Sequence, residues 1–145
     1  MKTIDNRGFT LGELLLVFVI VFLVGGLMLP FIRYSRKNME KTICANNLRE
    51  TGLALYIYAR EHEGNFPPTL KTLYQEHYLA DETLMDCPAS KDSVGTPSSP
   101  DYIYTAGLSV KDPSLAVLVK DKANNHSPDG KNILYVNGAV AWQKE

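Results

Sequence analysis

The sequence predicts an α+β chain: a long N-terminal α-helix, its first half transmembrane and its second half amphipathic, packed on a small C-terminal antiparallel β-sheet. Three observations predict it. Leu14 to Ile32 is a run of 19 residues without a charge, close to the roughly 20 that a helix needs to cross a bilayer core. Helical spacing then continues to about residue 62, and the last third of the chain changes to short β-branched and aromatic runs. The length of 145 residues fits one small domain plus an appendage, since domains usually hold about 100–150 residues. A multidomain enzyme is not expected at that length.

The apolar run reads as an uncleaved anchor. It is longer than the roughly 7–15 residues of a secretory h-region, and no small-x-small cleavage site comes after it. The run instead ends in Pro30-Phe31-Ile32-Arg33, with further basic residues at Arg36, Lys37 and Lys41. By the positive-inside rule this flank would keep the long C-terminal part in the cytoplasm. Gly25, Gly26 and Pro30 make bending cheap within the span, at about 1, 1 and 3 kcal/mol of lost helix propensity.

Past the basic flank, Cys44, Leu48, Gly52, Leu55 and Ala59 recur at steps of four, four, three and four, which is one face of a helix. Gly64-Asn65-Phe66-Pro67-Pro68 ends it, because glycine permits a left-handed cap and proline donates no backbone hydrogen bond. A helix from residue 10 to 62 is about 80 Å long at 1.5 Å per residue. Thr69 is placed to cap a short helix carrying Leu70, Leu73, Tyr74 and His77 along one side. Ser, Pro and Gly mark a loop from Ala89 to Pro100. Strands are predicted at Tyr102–Thr105, Leu115–Lys120, Asn132–Val136 and Ala139–Gln143, with Asn137-Gly138 as a two-residue type I′ turn between the last two.

Charge narrows the partners. Fifteen Lys and Arg stand against 16 Asp and Glu, a formal net of -1, so the basic excess of a nucleic-acid binder is missing. The two cysteines make no CxxC motif and no metal-ligand spacing. No G-x-S-x-G elbow or phosphate-binding glycine loop is present, and no catalytic residue is assigned. His62 and His77 read as surface or packing residues.

The segment Arg7-Gly8-Phe9-Thr10-Leu11-Gly12-Glu13-Leu14-Leu15 resembles the class III signal of type IV pilins and type II secretion pseudopilins. A short basic leader ends in Gly, Phe is next, Glu stands four residues after Phe, and a long apolar helix comes after that. The resemblance implies that a prepilin peptidase cuts between Gly8 and Phe9 on the cytoplasmic face and methylates the new amino group of Phe9. It also implies export of the C-terminal part, against the charge rule, and assembly into a filament from an inner-membrane platform. The chain then divides into a leader (1–8), a transmembrane and assembly helix (9–32) and an extracytoplasmic domain (33–145), with an amphipathic helix over 33–63 and the sheet over 101–145. Gly12 departs from the large aliphatic residue usual in the family.

An ionised Glu13 costs about 2.5–3.5 kcal/mol at mid-bilayer and less near an end. After cleavage its best partner is the ammonium of Phe9, which family behaviour assigns to a neighbouring subunit, making Glu13 an assembly and register device. Snorkelling of Glu13 to the interface is the simpler reading. Export would place Cys44, on the inward helix face, and Cys87, before Pro88, in an oxidising compartment. A disulfide closing the 42 residues between them would contribute up to about 4 kcal/mol by the loop-entropy model; two buried thiols are the other reading.

Further stretches resemble proteins related to the major pseudopilin of type II secretion: Cys44-Ala45-Asn46-Asn47-Leu48, Asn65-Phe66-Pro67-Pro68, Cys87-Pro88, and His126 with the later Asn132-Ile133-Leu134-Tyr135-Val136-Asn137-Gly138. Asn137 replaces the usual Asp there, and a second His is missing. Major pseudopilins often hold calcium between C-terminal strands, and Asp121, Asn124, Asn125, Asp129 and Asn132 offer oxygen donors for it, with Asp121, Asn125 and Asp129 as the candidates. The same residue types also suit a plain turn, and no EF-hand spacing is present. The function implied is a non-enzymatic pseudopilus subunit without a resident cofactor. An adhesion, motility or DNA-uptake pilin, or a membrane-tethered binding domain, are the alternatives.

Overall fold

The computed structural model describes residues 10–91 and 94–144. It is α+β, with helix α1 at Leu11–Glu61, helix α2 at Leu70–Gln75, a 3-10 turn at Glu82–Met85, and strands β1 Tyr102–Tyr104, β2 Val117–Asp121, β3 Lys131–Tyr135 and β4 Val140–Gln143. Two compact units divide the chain between Arg36 and Lys37.

In the first unit α1 runs without a break through Gly25, Gly26 and Pro30. It contains a segment long and apolar enough to cross a membrane, with a mean hydropathy of 2.9 over its most apolar window. Large apolar side chains along it are exposed, among them Phe18, Phe22 and Phe31 at 56%, 78% and 66%. Among the described residues nothing in the first unit covers them.

The second unit is built on the inward face of α1. Cys44, Leu48, Gly52, Leu55 and Ala59 are buried, as their spacing predicts. Opposite them the sheet runs in the order β1-β2-β3-β4, antiparallel throughout, so each strand pairs with its sequence neighbour. Leu118, Val119, Leu134 and Val136 fill the space between helix and sheet, and Leu70, Leu73 and Met85 close one side. At Gly52 a Cβ would meet Leu134 Cδ1 and Cδ2 at 3.1 Å, so a side chain there would push the Leu134 tip back by a few tenths of an ångström.

Two local expectations change. Thr69 caps α2 as predicted, its side chain accepting from Thr72 N, and Leu70 and Leu73 are buried. His77, however, lies beyond the helix in a left-handed conformation at φ 62°. Helix α2 stops at Gln75 because Tyr78 N and Leu79 N turn back to Leu73 O. The last hairpin is not a type I′ turn. Tyr135 N bonds Ala139 O, Gly138 N bonds Tyr135 O, and Gly138 but not Asn137 has positive φ. This is a three-residue loop, Val136–Gly138, with glycine at the left-handed position, the next commonest hairpin connection after the two-residue turns.

Gly52→Val is predicted to destabilise the detergent-solubilised chain by about 1–3 kcal/mol through overpacking, and Leu134→Ala by about 2–5 kcal/mol through the cavity it leaves. Thermal unfolding monitored by the fluorescence of Trp142 checks both. Wild-type midpoints in the two variants would contradict the contact.

Candidate functional site

The apolar surface of α1 begins at a capping box. Thr10 N donates to Glu13 Oε2 at 2.8 Å and Glu13 N donates to Thr10 Oγ1 at 3.3 Å, while Thr10 Oγ1 also donates to Glu13 Oε2 at 2.9 Å. Two orphan amides of the first turn are thereby satisfied by a reciprocal Thr-x-x-Glu pair. Its signal stands in Thr10-Leu11-Gly12-Glu13 and is easily missed when Glu13 is weighed only against a distant charge. Gly8 and Phe9, and with them the cleavage site and the pairing of Phe9 with Glu13, lie outside the described residues.

A second group of polar side chains is buried in the second unit, where α1 meets β2, β3 and the loops around them. Asp121 ends β2, two residues after Val119, and strand alternation turns both toward the core. Asp121 Oδ2 accepts from Asn132 N at 2.6 Å and Asn132 Nδ2 at 3.0 Å, and the same Nδ2 reaches Lys41 O of α1 at 3.2 Å. His126 Nε2 lies 3.5 Å from Asp121 Oδ2 and 3.5 Å from Cys87 Sγ, and Cys87 Sγ is 2.6 Å from Cys44 Sγ. His126 also meets the edge of Trp142, over whose ring Lys41 Nζ sits at 4.0 Å. Asp101 anchors the cysteine loop by accepting from Cys87 N at 3.1 Å, and its carbonyl accepts from Asn125 Nδ2 at 2.8 Å.

The group is electrostatically loaded. Asp121 is fully buried and its Oδ1 has no hydrogen-bond partner. Burial raises its carboxyl above the usual value, against the hydrogen bond from the Asn132 amide and the nearby His126. Burial pulls His126 down, but contact with Cys87 and the charges of Cys87 and Asp121 outweigh it and leave the imidazole raised. The hydrogen bonds from Cys44 and His126 lower Cys87 to about 6, whereas its contact with Cys87 and burial raise Cys44. Cys44, Cys87 and His126 place their ligand atoms within 4.8 Å of one another, a donor set that suits a soft metal as well as sulfur redox chemistry.

The candidates for calcium go separate ways. Asp121 is sealed among Asn132 and His126, Asn125 is committed to Asp101, and Asp129 lies at the surface, where its Oδ2 pairs with Lys37 Nζ at 2.8 Å. Asn124 is exposed and Asn132 is buried in the network just described. The cysteines are brought together, whereas Asp121 and Asp129 lie apart, one buried beside His126 and the other exposed beside Lys37. His62 packs, as expected, stacked on Tyr58 with ring centroids 3.7 Å apart. No protein-family model, curated protein or solved structure matches the chain.

Asn132→Ala removes one side-chain donor from Asp121 Oδ2 and one from Lys41 O at a buried site and is predicted to cost about 1–3 kcal/mol, whereas Asp129→Asn, at an exposed ion pair, is predicted to cost under about 1 kcal/mol. A second expectation concerns pH. The carboxyl of Asp121 is raised on folding, so the stability it contributes is full below its ordinary value and is lost as pH rises through the folded value. Asp121→Asn is therefore predicted to flatten the acid side of the curve of unfolding midpoint against pH; an unchanged curve would contradict it.

Proposed function

We propose that this chain is a structural, non-enzymatic pilin-like subunit of a type II secretion pseudopilus, held in the bacterial inner membrane by a single span and assembled into a filament. The observation that carries the reading is the apolar surface of α1. From Leu14 to Ile32 the helix carries no charge, and its described large apolar side chains are exposed among the described residues of its unit. A helix of that kind belongs in lipid or among other helices. Directly before it stands the Arg7–Glu13 segment, whose Gly8-Phe9 junction and Glu13 resemble a processing and assembly signal.

In this reading a prepilin peptidase removes residues 1–8 in the cytoplasm and methylates Phe9. The Phe9–Ile32 segments of neighbouring subunits then trade lipid contact for contact with one another, and van der Waals packing supplies most of the cohesion. Glu13 keeps its capping box until assembly and then takes the Phe9 ammonium of a neighbour, which sets the register. The Lys37–Glu145 unit stays outside the apolar core, in the extracytoplasmic space, where it meets other subunits or a secreted substrate. A type IV pilus subunit would use the same chemistry in a different filament.

The basic flank Arg33, Arg36, Lys37 and Lys41 favours a second reading, a domain tethered to the membrane with no filament and no processing. Intact mass and N-terminal sequence of the membrane-extracted chain, made with and without a co-expressed prepilin peptidase, separate the two. A chain that starts at Phe9 and carries one extra methyl group is the expected result, and a chain still starting at Met1 beside active peptidase would overturn it. Glu13→Ala is predicted to leave the processed subunit in the membrane and to abolish filaments seen by electron microscopy, whereas a tether would keep its function.

A further inference from the structure

The second unit holds a pair of sulfurs at its centre. Cys44 Sγ on α1 and Cys87 Sγ in the loop after the 3-10 turn are 2.6 Å apart at 0% and 1% exposure. The two segments also share the buried core, with Leu48 and Met85 in it, and Asn47 Nδ2 donates to Asp86 O at 3.0 Å. Two thiolates sharing a tetrahedral zinc, each at about 2.3 Å, would stand about 3.8 Å apart. The observed pair is closer than that.

We propose that Cys44 and Cys87 form a disulfide that staples α1 to the loop around Cys87 once the domain lies in an oxidising compartment. The compartment rests on the exported orientation proposed above; the pairing itself rests on the two sulfurs. One cysteine thiolate attacks a sulfur of an external disulfide, that of a thiol oxidase or of oxidised glutathione, giving a mixed disulfide and releasing one thiolate. The other cysteine loses its proton and attacks the sulfur of the first, and the second external thiolate leaves. Two protein thiols have then been oxidised to one disulfide, and the external disulfide has been reduced to two thiols.

Burial dictates the order of events. Neither sulfur is open to a partner in the folded unit, so exchange takes place before the loop closes on α1, and the finished bond is shielded from reductant. The bond also shortens the covalent path from α1 to the sheet, which then bypasses the 42 residues between the cysteines. A subunit pulled along its helix cannot unravel that stretch.

The test uses the full-length chain, extracted from membranes under acid quench and alkylated in denaturant with and without prior reduction, then weighed intact. The expected result is no alkyl group before reduction and two after it, with dithiothreitol ineffective until denaturant is added. In parallel, the reduced chain is incubated in detergent with a glutathione redox buffer during refolding. Closure there but open thiols in cells would uphold the pairing and overturn the exported orientation. Two alkylated thiols in both arms would overturn the pairing, and so would thiols that retain one zinc per chain against a chelator.

Discussion

The close approach of α1 to β3 is the constraint on which the second unit depends. Gly52 has no side chain to hold Leu134 away, so Leu48, Leu55 and Ala59 on the same helix face reach the inner side of the sheet. The other buried contacts between helix and sheet depend on that spacing. The meander β1-β2-β3-β4 needs one apolar floor, and a helix face with small residues at Gly52 and Ala59 gives it one. The polar network at the edge of this interface is also set by it, since Asn132 can reach Lys41 O only when β3 lies against the helix.

The same helix is under an opposite demand before Arg36. There its large apolar side chains are exposed among the described residues, and apolar surface left in water costs about 25 cal/mol per Å². In the proposed function that surface is covered by lipid or by other chains. A pilin-like subunit uses both covers in turn, and the proposed function is in essence the exchange of one for the other.

Much of the fold is legible in the residues. The steps from Cys44 to Ala59 mark the buried face directly, Thr69 marks a real cap, and the four strands fall within a few residues of their predicted bounds. The hairpin turn is not legible, because Asn137-Gly138 satisfies two geometries and only the pairing of Tyr135 with Ala139 decides between them. Asp121 suits a loop ligand by residue type, although its parity with Val119 points it inward. Its partners, Asn132 on the next strand and His126 in the loop, come together only through strand pairing. The cysteine pair is legible as one of two alternatives and no more, because nothing local brings residue 44 to residue 87.

In the proposed function the helix surface from Leu14 to Ile32 is covered on all sides by lipid or by other helices. Spin labels placed singly at Leu16, Ile20, Val24 and Leu29 in the membrane-reconstituted chain test it most directly, through their relative accessibility to oxygen and to an aqueous nickel chelate. High oxygen and low nickel accessibility are expected at all four positions, falling for oxygen too when filaments assemble. A water-accessible stripe at helical spacing would contradict it, because the segment would then be one face of a soluble helix.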